Sequence, residues 1–119
     1  MLEAGKNVYV EKPISTVAEE ARVLTELADE KGLVLMVGHL LLYHPAVNRL
    51  KMLIEEGALG ELVYAQSDRL NVNYHKNDRS VMWDLAPHDV SMIAYVTGKD
   101  PVRVISAVGC SSDRNEIMD

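Results

Sequence analysis

Phenylalanine is absent from this sequence of 119 residues, and five Tyr and one Trp are its only aromatic residues. A hydrophobic core must therefore consist mainly of Val, Leu, Ile, Met and Ala, and the chain is long enough for one modest core. The only cysteine, Cys110, excludes an internal disulfide and is typical of a reducing compartment.

Basic runs are also missing, and the net charge is −6. Because binding to phosphate backbones requires clustered Lys and Arg, we expect no nucleic-acid partner. The longest apolar stretch, Gly32 to Tyr43, contains Gly38 and His39 and is too short to span a bilayer. The first residues lack the apolar segment of a signal peptide. We therefore expect a cytoplasmic protein with no membrane partner.

The glycines form no nucleotide-binding fingerprint. They stand at positions 5, 32, 38, 57, 60, 98 and 109. Neither G-x-G-x-x-G nor a P-loop pattern fits this spacing, so the sequence shows no recognisable phosphate cradle.

Hydrophobic patterns predict a β-α-β unit in the first third of the chain. Strands are expected at residues 7–10 and 33–37, and the helix between them starts at a Thr16/Glu19 capping box and stops at Gly32. Two strands joined in this way are parallel. The second strand is apolar throughout, which is typical of strands buried on both faces. The apolar stripe of the helix comprises Val17, Ala21, Leu24 and Ala28.

The rest of the chain predicts two further helices. One starts at Pro45 and stops at Gly57, and the other has Asp84 as its N-cap, Pro87 in its first turn and Gly98 as its stop. The buried stripe of the first comprises Val47, Leu50, Leu53 and Ile54. The other segments are a strand at 60–72 that runs into a loop at 71–80, a strand at 101–110 and a polar tail at 111–119.

Glu11, Lys12 and Pro13 follow the first predicted strand. Ligands of open parallel sheets bind beyond the carboxyl ends of the strands, which is where these residues stand. A lysine there can donate a hydrogen bond to a substrate oxygen or act as an acid or base, and Pro13 can fix the turn with a cis peptide. Taken alone, the tripeptide is more typical of a solvated loop between a strand and a helix.

Asp84 and His88 are four residues apart in a predicted helix, so their side chains lie on one face and can touch. A carboxylate that holds one tautomer of an imidazole is a common way to build a general base. The simpler alternative is that Asp84 only caps the helix while His88 packs or faces water. Trp83 is most simply a packing residue, although it could form the wall of a ligand pocket.

The remaining histidines, His39, His44 and His75, form no compact metal-binding pair with the spacing of H-E-x-x-H. We therefore expect no metal site. Tyr43 and His44 follow the second predicted strand and face the same ligand edge as Lys12. Their simpler interpretation is packing at a domain hinge.

Four stretches, taken together and in this order, resemble one known family. They are EAGKNVYVEKP, LADEKGLVLMVGH, YHPAVNRLKMLIEEGALGEL and WDLAPHDVSM, starting at residues 3, 27, 43 and 83. They resemble the middle of the glucose-fructose oxidoreductase / inositol dehydrogenase / rhizopine catabolism (Gfo/Idh/MocA) family. The stretches GHLLLYHPAV, DRLN and WDLAPHDVSM are most similar to members that oxidise UDP-linked N-acetylated sugars or their uronates.

The resemblance implies an α/β fold in two parts. Residues 1–40 would be the C-terminal part of an NAD(P)-binding Rossmann domain with a parallel sheet. Residues 41–119 would be the first part of an α/β domain that binds substrate and forms oligomers, with an open and mostly antiparallel sheet. We therefore expect an internal fragment of a homo-oligomeric enzyme. Without the glycine loop it should bind NAD or NADP very weakly or not at all, and its open sheet edges favour self-association.

The resemblance also implies a function and a site. The family transfers hydride between a secondary alcohol, here of a sugar or a sugar nucleotide, and nicotinamide, and we expect the isolated chain to be inactive. The catalytic residues would be Lys12, His88 and Asp84. The cofactor side would comprise Glu11, Pro13 and His39, and the substrate would contact Lys12, Tyr43, His44, Asn71, Trp83 and His88. The segment before Asp84 lacks the glycines that many members carry there.

Two other functions stay open. The chain could be a non-catalytic α/β remnant that dimerises or binds another protein. It could also be a metal-dependent hydrolase or isomerase, which would need a third ligand close to Asp84 and His88.

Overall fold

The structure is a computed structural model that describes residues 1–69, 81–108, 110–111 and 117–118. The chain forms two compact units, Met1–His39 and Leu40–Asp119.

The first unit is built on a parallel pair of strands, β1 (Val8–Val10) and β2 (Leu35–Val37). Helix α1 (Ala18–Glu30) connects them, and a 3₁₀ turn (Leu2–Ala4) precedes β1. Val8 pairs with Leu35 and Val10 with Val37. The predicted parallel β-α-β unit is therefore confirmed. Gly32 has a φ of 61°, a left-handed conformation that suits a residue without Cβ just beyond a helix end.

The capping box predicted for α1 is wrong. Val17 occupies the N-cap position and makes no side-chain cap. The Ser15 hydroxyl accepts a hydrogen bond from the Val17 backbone N–H at 2.9 Å and donates one to the Glu20 carboxylate at 2.6 Å. The hydroxyl that secures the turn is therefore Ser15, one residue before the predicted Thr16, because a short serine side chain readily bonds the N–H two residues on.

The apolar interior of the first unit lies on one face of the β1–β2 pair. Leu2 and Ala28 are buried there, and an open apolar cavity of about 290 Å³ remains between the sheet, α1 and the first turn. Tyr9 and Met36 are 60% and 37% exposed. The prediction that the second strand is buried on both faces is therefore wrong within this chain, because one helix covers only one face of a sheet. Val17, predicted in the apolar stripe of the helix, is also exposed.

The second unit is built on helices α2 (Pro45–Glu55) and α3 (Val81–Thr97), which pack against each other and follow a 3₁₀ turn (Leu40–Tyr43). Val47 and Val96 are buried. Tyr95 Oη donates a hydrogen bond to Asn48 Oδ1 at 2.6 Å and thereby joins the two helices. Leu50, which we predicted to be buried, is 39% exposed, because α3 covers only part of the α2 surface.

Helix α3 starts earlier than predicted. It begins at Val81, so Asp84 lies within the first turn and is not the N-cap. Pro87 is consequently inside the helix and not in its first turn. Since proline has no N–H, it cannot donate the helical hydrogen bond to the Trp83 carbonyl. The predicted start was too late because Asp and Pro, the residue types at positions 84 and 87, are both common at helix starts.

The strands predicted in the second unit are mostly wrong. Residues 60–69 and 101–108 form no strand, and residues 61–69 and 101–108 are exposed. Strand β3 (Cys110–Ser111) starts at the last residue of the predicted 101–110 strand and pairs antiparallel with β4 (Ile117–Met118), which lies in the segment that we predicted to be a polar tail. A segment with a strand-like sequence forms a strand only when a partner supplies backbone hydrogen bonds. Among the described residues of this unit, only β3 and β4 are paired in this way. The loop predicted at 71–80 lies outside the described residues.

The contact between α2 and α3 leads to a stability prediction. We expect Tyr95→Phe to lower the free energy of unfolding by about 1 kcal/mol, because Asn48 loses a partner in a partly buried site. The matched control is Tyr64→Phe, since Tyr64 is 79% exposed, and it should change the free energy by less than about 0.5 kcal/mol. Urea denaturation followed by circular dichroism measures both. Equal values for the two variants would contradict a role for this hydrogen bond.

Candidate functional site

Polar residues meet at the carboxyl end of the β1–β2 pair. Glu11, Lys12 and Pro13 follow β1 directly, and His39 stands two residues after β2. Lys12 is half-buried, and the Lys12–Pro13 peptide is cis, as the sequence allowed. The parallel pairing therefore brings the predicted cofactor residues of the first unit to one sheet edge, which is where ligands of such sheets bind.

Gly38 lies beneath two of the side chains at this edge. A Cβ placed on Gly38 would stand 2.6 Å from Tyr9 Oη and 3.0 Å from Glu11 Oε2. The absence of a side chain at Gly38 therefore allows Tyr9 and Glu11 to cover the end of β2. His39 follows, with its Nδ1 atom buried and without a hydrogen-bond partner in the described part of the chain.

Tyr43 and His44 lie at the start of α2. His44 is the N-cap, and its Nδ1 atom accepts a hydrogen bond from the Ala46 backbone N–H at 3.1 Å. Because Nδ1 is the acceptor, a neutral His44 carries its proton on Nε2, from which it can donate. The Tyr43 side chain is 66% exposed.

Asp84 and His88 lie one turn apart on α3. Both residues are half-buried, and the Oδ2 atom of Asp84 and the Nδ1 atom of His88 are buried. Their spacing places them on one face of the helix, and a contact between their side chains stays a prediction. Trp83 precedes them and is 42% exposed. Asn71 lies outside the described residues.

Another acidic residue of α3, Asp89, accepts three side-chain hydrogen bonds beside this face, and the sequence did not indicate it. Its carboxylate accepts hydrogen bonds from Ser67 Oγ at 2.7 Å, Arg69 Nε at 2.9 Å and Arg69 Nη2 at 3.1 Å. We call Ser67, Arg69 and Asp89 the Arg69 clamp. The sequence feature that could have indicated the clamp is the spacing of Ser67 and Arg69. They are two residues apart, and side chains at this spacing lie on one side of an extended segment.

The clamp determines the charge state of Asp89. Partial burial alone would raise the pKa of the Asp89 carboxyl. The hydrogen bonds from Arg69 and Ser67, together with the charge of Arg69 and that of His88 when its ring is protonated, outweigh burial and hold this pKa below its ordinary value. Asp89 is therefore an ionised carboxylate at neutral pH.

The predicted site residues thus fall into two groups. Glu11, Lys12, Pro13 and His39 belong to the first unit, and Tyr43, His44, Trp83, Asp84 and His88 belong to the second. Convergence of Lys12 and His88 on one cleft stays a prediction. In the described ranges, no three His, Cys, Asp or Glu side chains are grouped as metal ligands. Helices in those ranges also lack the length and apolarity needed to cross a bilayer.

Two family models match the chain. Residues 1–39 match the model of the oxidoreductase family with an NAD-binding Rossmann fold, and residues 47–119 match the GFO/IDH/MocA C-terminal domain.

The chain belongs to the Gfo/Idh/MocA oxidoreductase family. This confirms the resemblance that the four sequence stretches indicated. The match to the Rossmann model also confirms the predicted α/β fold class.

Curated relatives of this Gfo/Idh/MocA chain include a UDP-N-acetylglucosamine 3-dehydrogenase of Acidithiobacillus ferrooxidans. It is 34% identical over 112 residues, which are 93% of this chain and 34% of the relative. A trans-1,2-dihydrobenzene-1,2-diol dehydrogenase of Oryctolagus cuniculus is 38% identical over 116 residues, 91% of this chain and 35% of the relative. The chain therefore spans about a third of the length of these relatives.

Solved structures also include proteins whose fold is similar to that of this chain. A Klebsiella pneumoniae crystal structure described as an oxidoreductase matches with a TM-score of 0.66 and 31% identity, over 82% of this chain and 27% of that one. A Sinorhizobium meliloti structure described as a myo-inositol dehydrogenase matches with a TM-score of 0.67 over 98% of this chain and 43% of that one. Its identity is 22%, so it supports the fold alone.

The family implies a nicotinamide dinucleotide, and the residues present fit one part of it. The buried Nδ1 atom of His39 and the half-buried Lys12 offer polar groups at the carboxyl end of the parallel strands. These groups suit the polar atoms of a nicotinamide riboside. A pyrophosphate requires a glycine-rich helix start, and the sequence contains no such motif.

The pKa of Asp89 leads to a prediction about pH. A carboxyl whose pKa is lowered by folding stabilises the protein above its unfolded pKa, and this contribution disappears as pH falls through the folded pKa. Asp89→Asn should therefore lower the free energy of unfolding by about 1 kcal/mol at neutral pH. The difference from wild type should shrink below about pH 4, the ordinary range of an aspartate.

Urea denaturation at a series of pH values measures this effect. Asp68→Asn is the control, because Asp68 is an exposed carboxylate of the same segment that bonds only Gln66 among the contacts described. It should change the free energy by less than about 0.5 kcal/mol. A difference for Asp89→Asn that stays constant from neutral to acid pH would contradict the assignment.

Proposed function

We propose that this chain supplies the proton-transfer groups of an NAD(P)-dependent oxidoreductase acting on a secondary alcohol of a sugar or a sugar nucleotide. The observation that carries the proposal is the pair Asp84 and His88, one turn apart on α3 with Oδ2 and Nδ1 atoms buried. A carboxylate and an imidazole so spaced, in a half-buried position, form a suitable general base.

The names of the relatives support this class of substrate. One relative is a UDP-N-acetylglucosamine 3-dehydrogenase, and another, from Rhizobium meliloti and 27% identical, is an inositol 2-dehydrogenase. Each name describes oxidation of a ring carbon that bears a hydroxyl. Such a reaction removes a proton from oxygen and a hydride from carbon, and leaves a carbonyl group.

His88 is the group that takes the hydroxyl proton. A neutral imidazole accepts it, and the Asp84 carboxylate favours the imidazolium that results and holds the ring in one tautomer. Partial burial strengthens this electrostatic effect, since water does not fully screen the two groups. In the reverse direction, the imidazolium returns the proton to the carbonyl oxygen.

Lys12 is the group that orients the substrate oxygen. An ammonium at the carboxyl end of β1 can donate a hydrogen bond to the hydroxyl and favour negative charge on that oxygen as its proton leaves. A nicotinamide cofactor, when bound, would supply the hydride-accepting chemistry. Glu11, Pro13 and His39 lie at the same sheet edge and would form the protein surface against it.

The substrate-binding residues of the proposal are Tyr43, His44, Asn71 and Trp83. Tyr43 and Trp83 expose much of their aromatic surface, which can pack against the apolar face of a sugar ring. His44 retains an Nε2–H donor while its Nδ1 caps α2. A donor fixed by its own helix cap can bind a sugar hydroxyl at small entropic cost.

A second candidate is a non-catalytic module that self-associates. The observation in its favour is the exposed apolar face of the first unit, on which Val34 is 61% and Tyr9 60% exposed. Among the described residues, β1 and β2 form a sheet of two strands, so each has an open edge at which another chain could pair. Such a module would not depend on the chemistry of His88, and this difference separates the two candidates.

A chimera tests the proposed function. The chain replaces the aligned segment, about a third, of the Acidithiobacillus ferrooxidans relative, and NAD(P)-dependent oxidation of UDP-N-acetylglucosamine is followed by absorbance of the reduced cofactor. His88→Gln should lower kcat by about 10²–10⁴-fold, because a general base contributes about this factor. The KM should change less, since the alcohol remains able to bind.

Arg103→Gln is the matched control. Arg103 is an exposed residue of the same unit, and its replacement should leave kcat within about twofold, a small fraction of the general-base effect. A folded chimera whose turnover is the same with Gln at position 88 would refute the proposed role and favour the non-catalytic module.

A further inference from the structure

The sheet face of the first unit that α1 does not cover continues to the carboxyl end of β1 and β2. Tyr9 and Met36 are paired across the two strands, and they are 60% and 37% exposed. Side chains two residues apart in a strand point to the same face, so Glu11 and Gly38 share this face. The Gly38 backbone N–H donates to the Val10 carbonyl at 2.8 Å, which keeps Gly38 beside Glu11 just beyond the strands.

Two polar side chains converge above Gly38. A Cβ at this position would stand 2.6 Å from Tyr9 Oη and 3.0 Å from Glu11 Oε2, so the phenol and the carboxylate approach one point. Within the described ranges, neither the Tyr9 hydroxyl nor the Glu11 carboxylate takes part in a hydrogen bond of the chain. Both residues are exposed, so both groups are accessible to a ligand at the sheet edge.

A phenol beside a carboxylate matches the chemistry of a primary carboxamide. This group carries an acceptor oxygen and an NH₂ donor on one carbon. The Tyr9 hydroxyl can donate to the oxygen, while the Glu11 carboxylate, which only accepts, can accept from the NH₂. The contact with Glu11 is charge-assisted and is therefore the stronger of the two.

We propose that Tyr9 and Glu11 bind the carboxamide group of the nicotinamide, and that Gly38 leaves the room that their side chains need. The inference rests on the proposed function, in which the cofactor lies at the carboxyl end of the parallel strands. It gives Glu11 a defined contact and adds Tyr9 and Gly38 to the cofactor site. Two hydrogen bonds to a substituent of the ring fix its rotation, which is the orienting role of the protein in a cofactor enzyme.

The test compares two reduced cofactors that differ in one group. The chimera with the Acidithiobacillus ferrooxidans relative supplies the parts of the enzyme that this chain does not span. Isothermal titration calorimetry gives its Kd for NAD(P)H and for the 3-acetylpyridine analogue of the same cofactor, in which a methyl group replaces the carboxamide NH₂. The analogue keeps the carbonyl oxygen and lacks the N–H donor, so the comparison isolates the contact with Glu11.

Glu11→Ala should weaken the binding of one cofactor only. The Kd for NAD(P)H should rise about tenfold, because a hydrogen bond to a charged acceptor is lost. The Kd for the analogue should stay within about twofold, since it has no such bond to lose. Tyr9→Phe should raise both Kd values about fivefold, because both cofactors lose a hydrogen bond to the carbonyl oxygen.

Gly38→Ala tests the room above the glycine. Its methyl group would lie closer to the Tyr9 hydroxyl than non-bonded atoms approach each other, so the phenol must move. We expect both Kd values to rise about fivefold or more, as a displaced hydroxyl no longer donates. In a chimera that already carries Tyr9→Phe, Gly38→Ala should raise the Kd values by a smaller factor. Equal factors in the two backgrounds would overturn the role of Gly38.

Glu30→Ala is the matched control for Glu11→Ala. Glu30 is an exposed carboxylate at the last residue of α1, and α1 leads from the carboxyl end of β1 back to the start of β2. Glu30 is therefore at the opposite end of the unit, and its replacement should leave both Kd values within about twofold, because exposed charges at such a distance are screened. The inference is overturned if Glu11→Ala changes both Kd values by the same factor, or if Tyr9→Phe changes neither.

Binding and turnover separate this inference from the proposed function. If His88→Gln abolishes turnover while Glu11→Ala affects both cofactors alike, the carboxamide contact fails and the proposed function stands. If Glu11→Ala selectively weakens NAD(P)H binding while His88→Gln leaves turnover unchanged, the contact stands and the proposed function fails. A folded chimera that binds neither cofactor contradicts both.

Discussion

Helix α3 imposes the constraint on which the proposed chemistry depends. Because its residues advance by about 100° each, positions 84 and 88 lie on one face and position 89 lies beside it. The order of acidic and imidazole groups around the helix is thus set by backbone geometry. Packing of α2 on α3, with the Tyr95–Asn48 hydrogen bond, secures the C-terminal half of the same helix.

The first unit depends on a different constraint, the parallel pairing of β1 and β2. Parallel strands end at the same edge, so the residues after each strand become neighbours although α1 separates them in sequence. Lys12 and His39 reach one edge for this reason alone. The small size of Gly38 then allows Tyr9 and Glu11 to lie over the end of β2.

Local patterns predicted the helices and the parallel strands well, since these elements depend on nearby residues. The apolar periodicity before Gly32 and the Pro45 start correspond to α1 and α2. The strands expected at 60–72 and 101–110 do not form at residues 60–69 and 101–108. Strand formation requires a partner strand, which the local sequence does not show. Arg69 was missed for the same reason, since its partner Asp89 lies 20 residues away and no periodic pattern connects them.

The central claim is that His88 takes the proton of a substrate hydroxyl group. A crystal structure of the chimeric enzyme with reduced nicotinamide cofactor and UDP-N-acetylglucosamine tests it most directly. We predict that the His88 imidazole lies within about 3.2 Å of a hydroxyl oxygen of the sugar. A bound sugar with no oxygen within hydrogen-bond reach of His88 would contradict it.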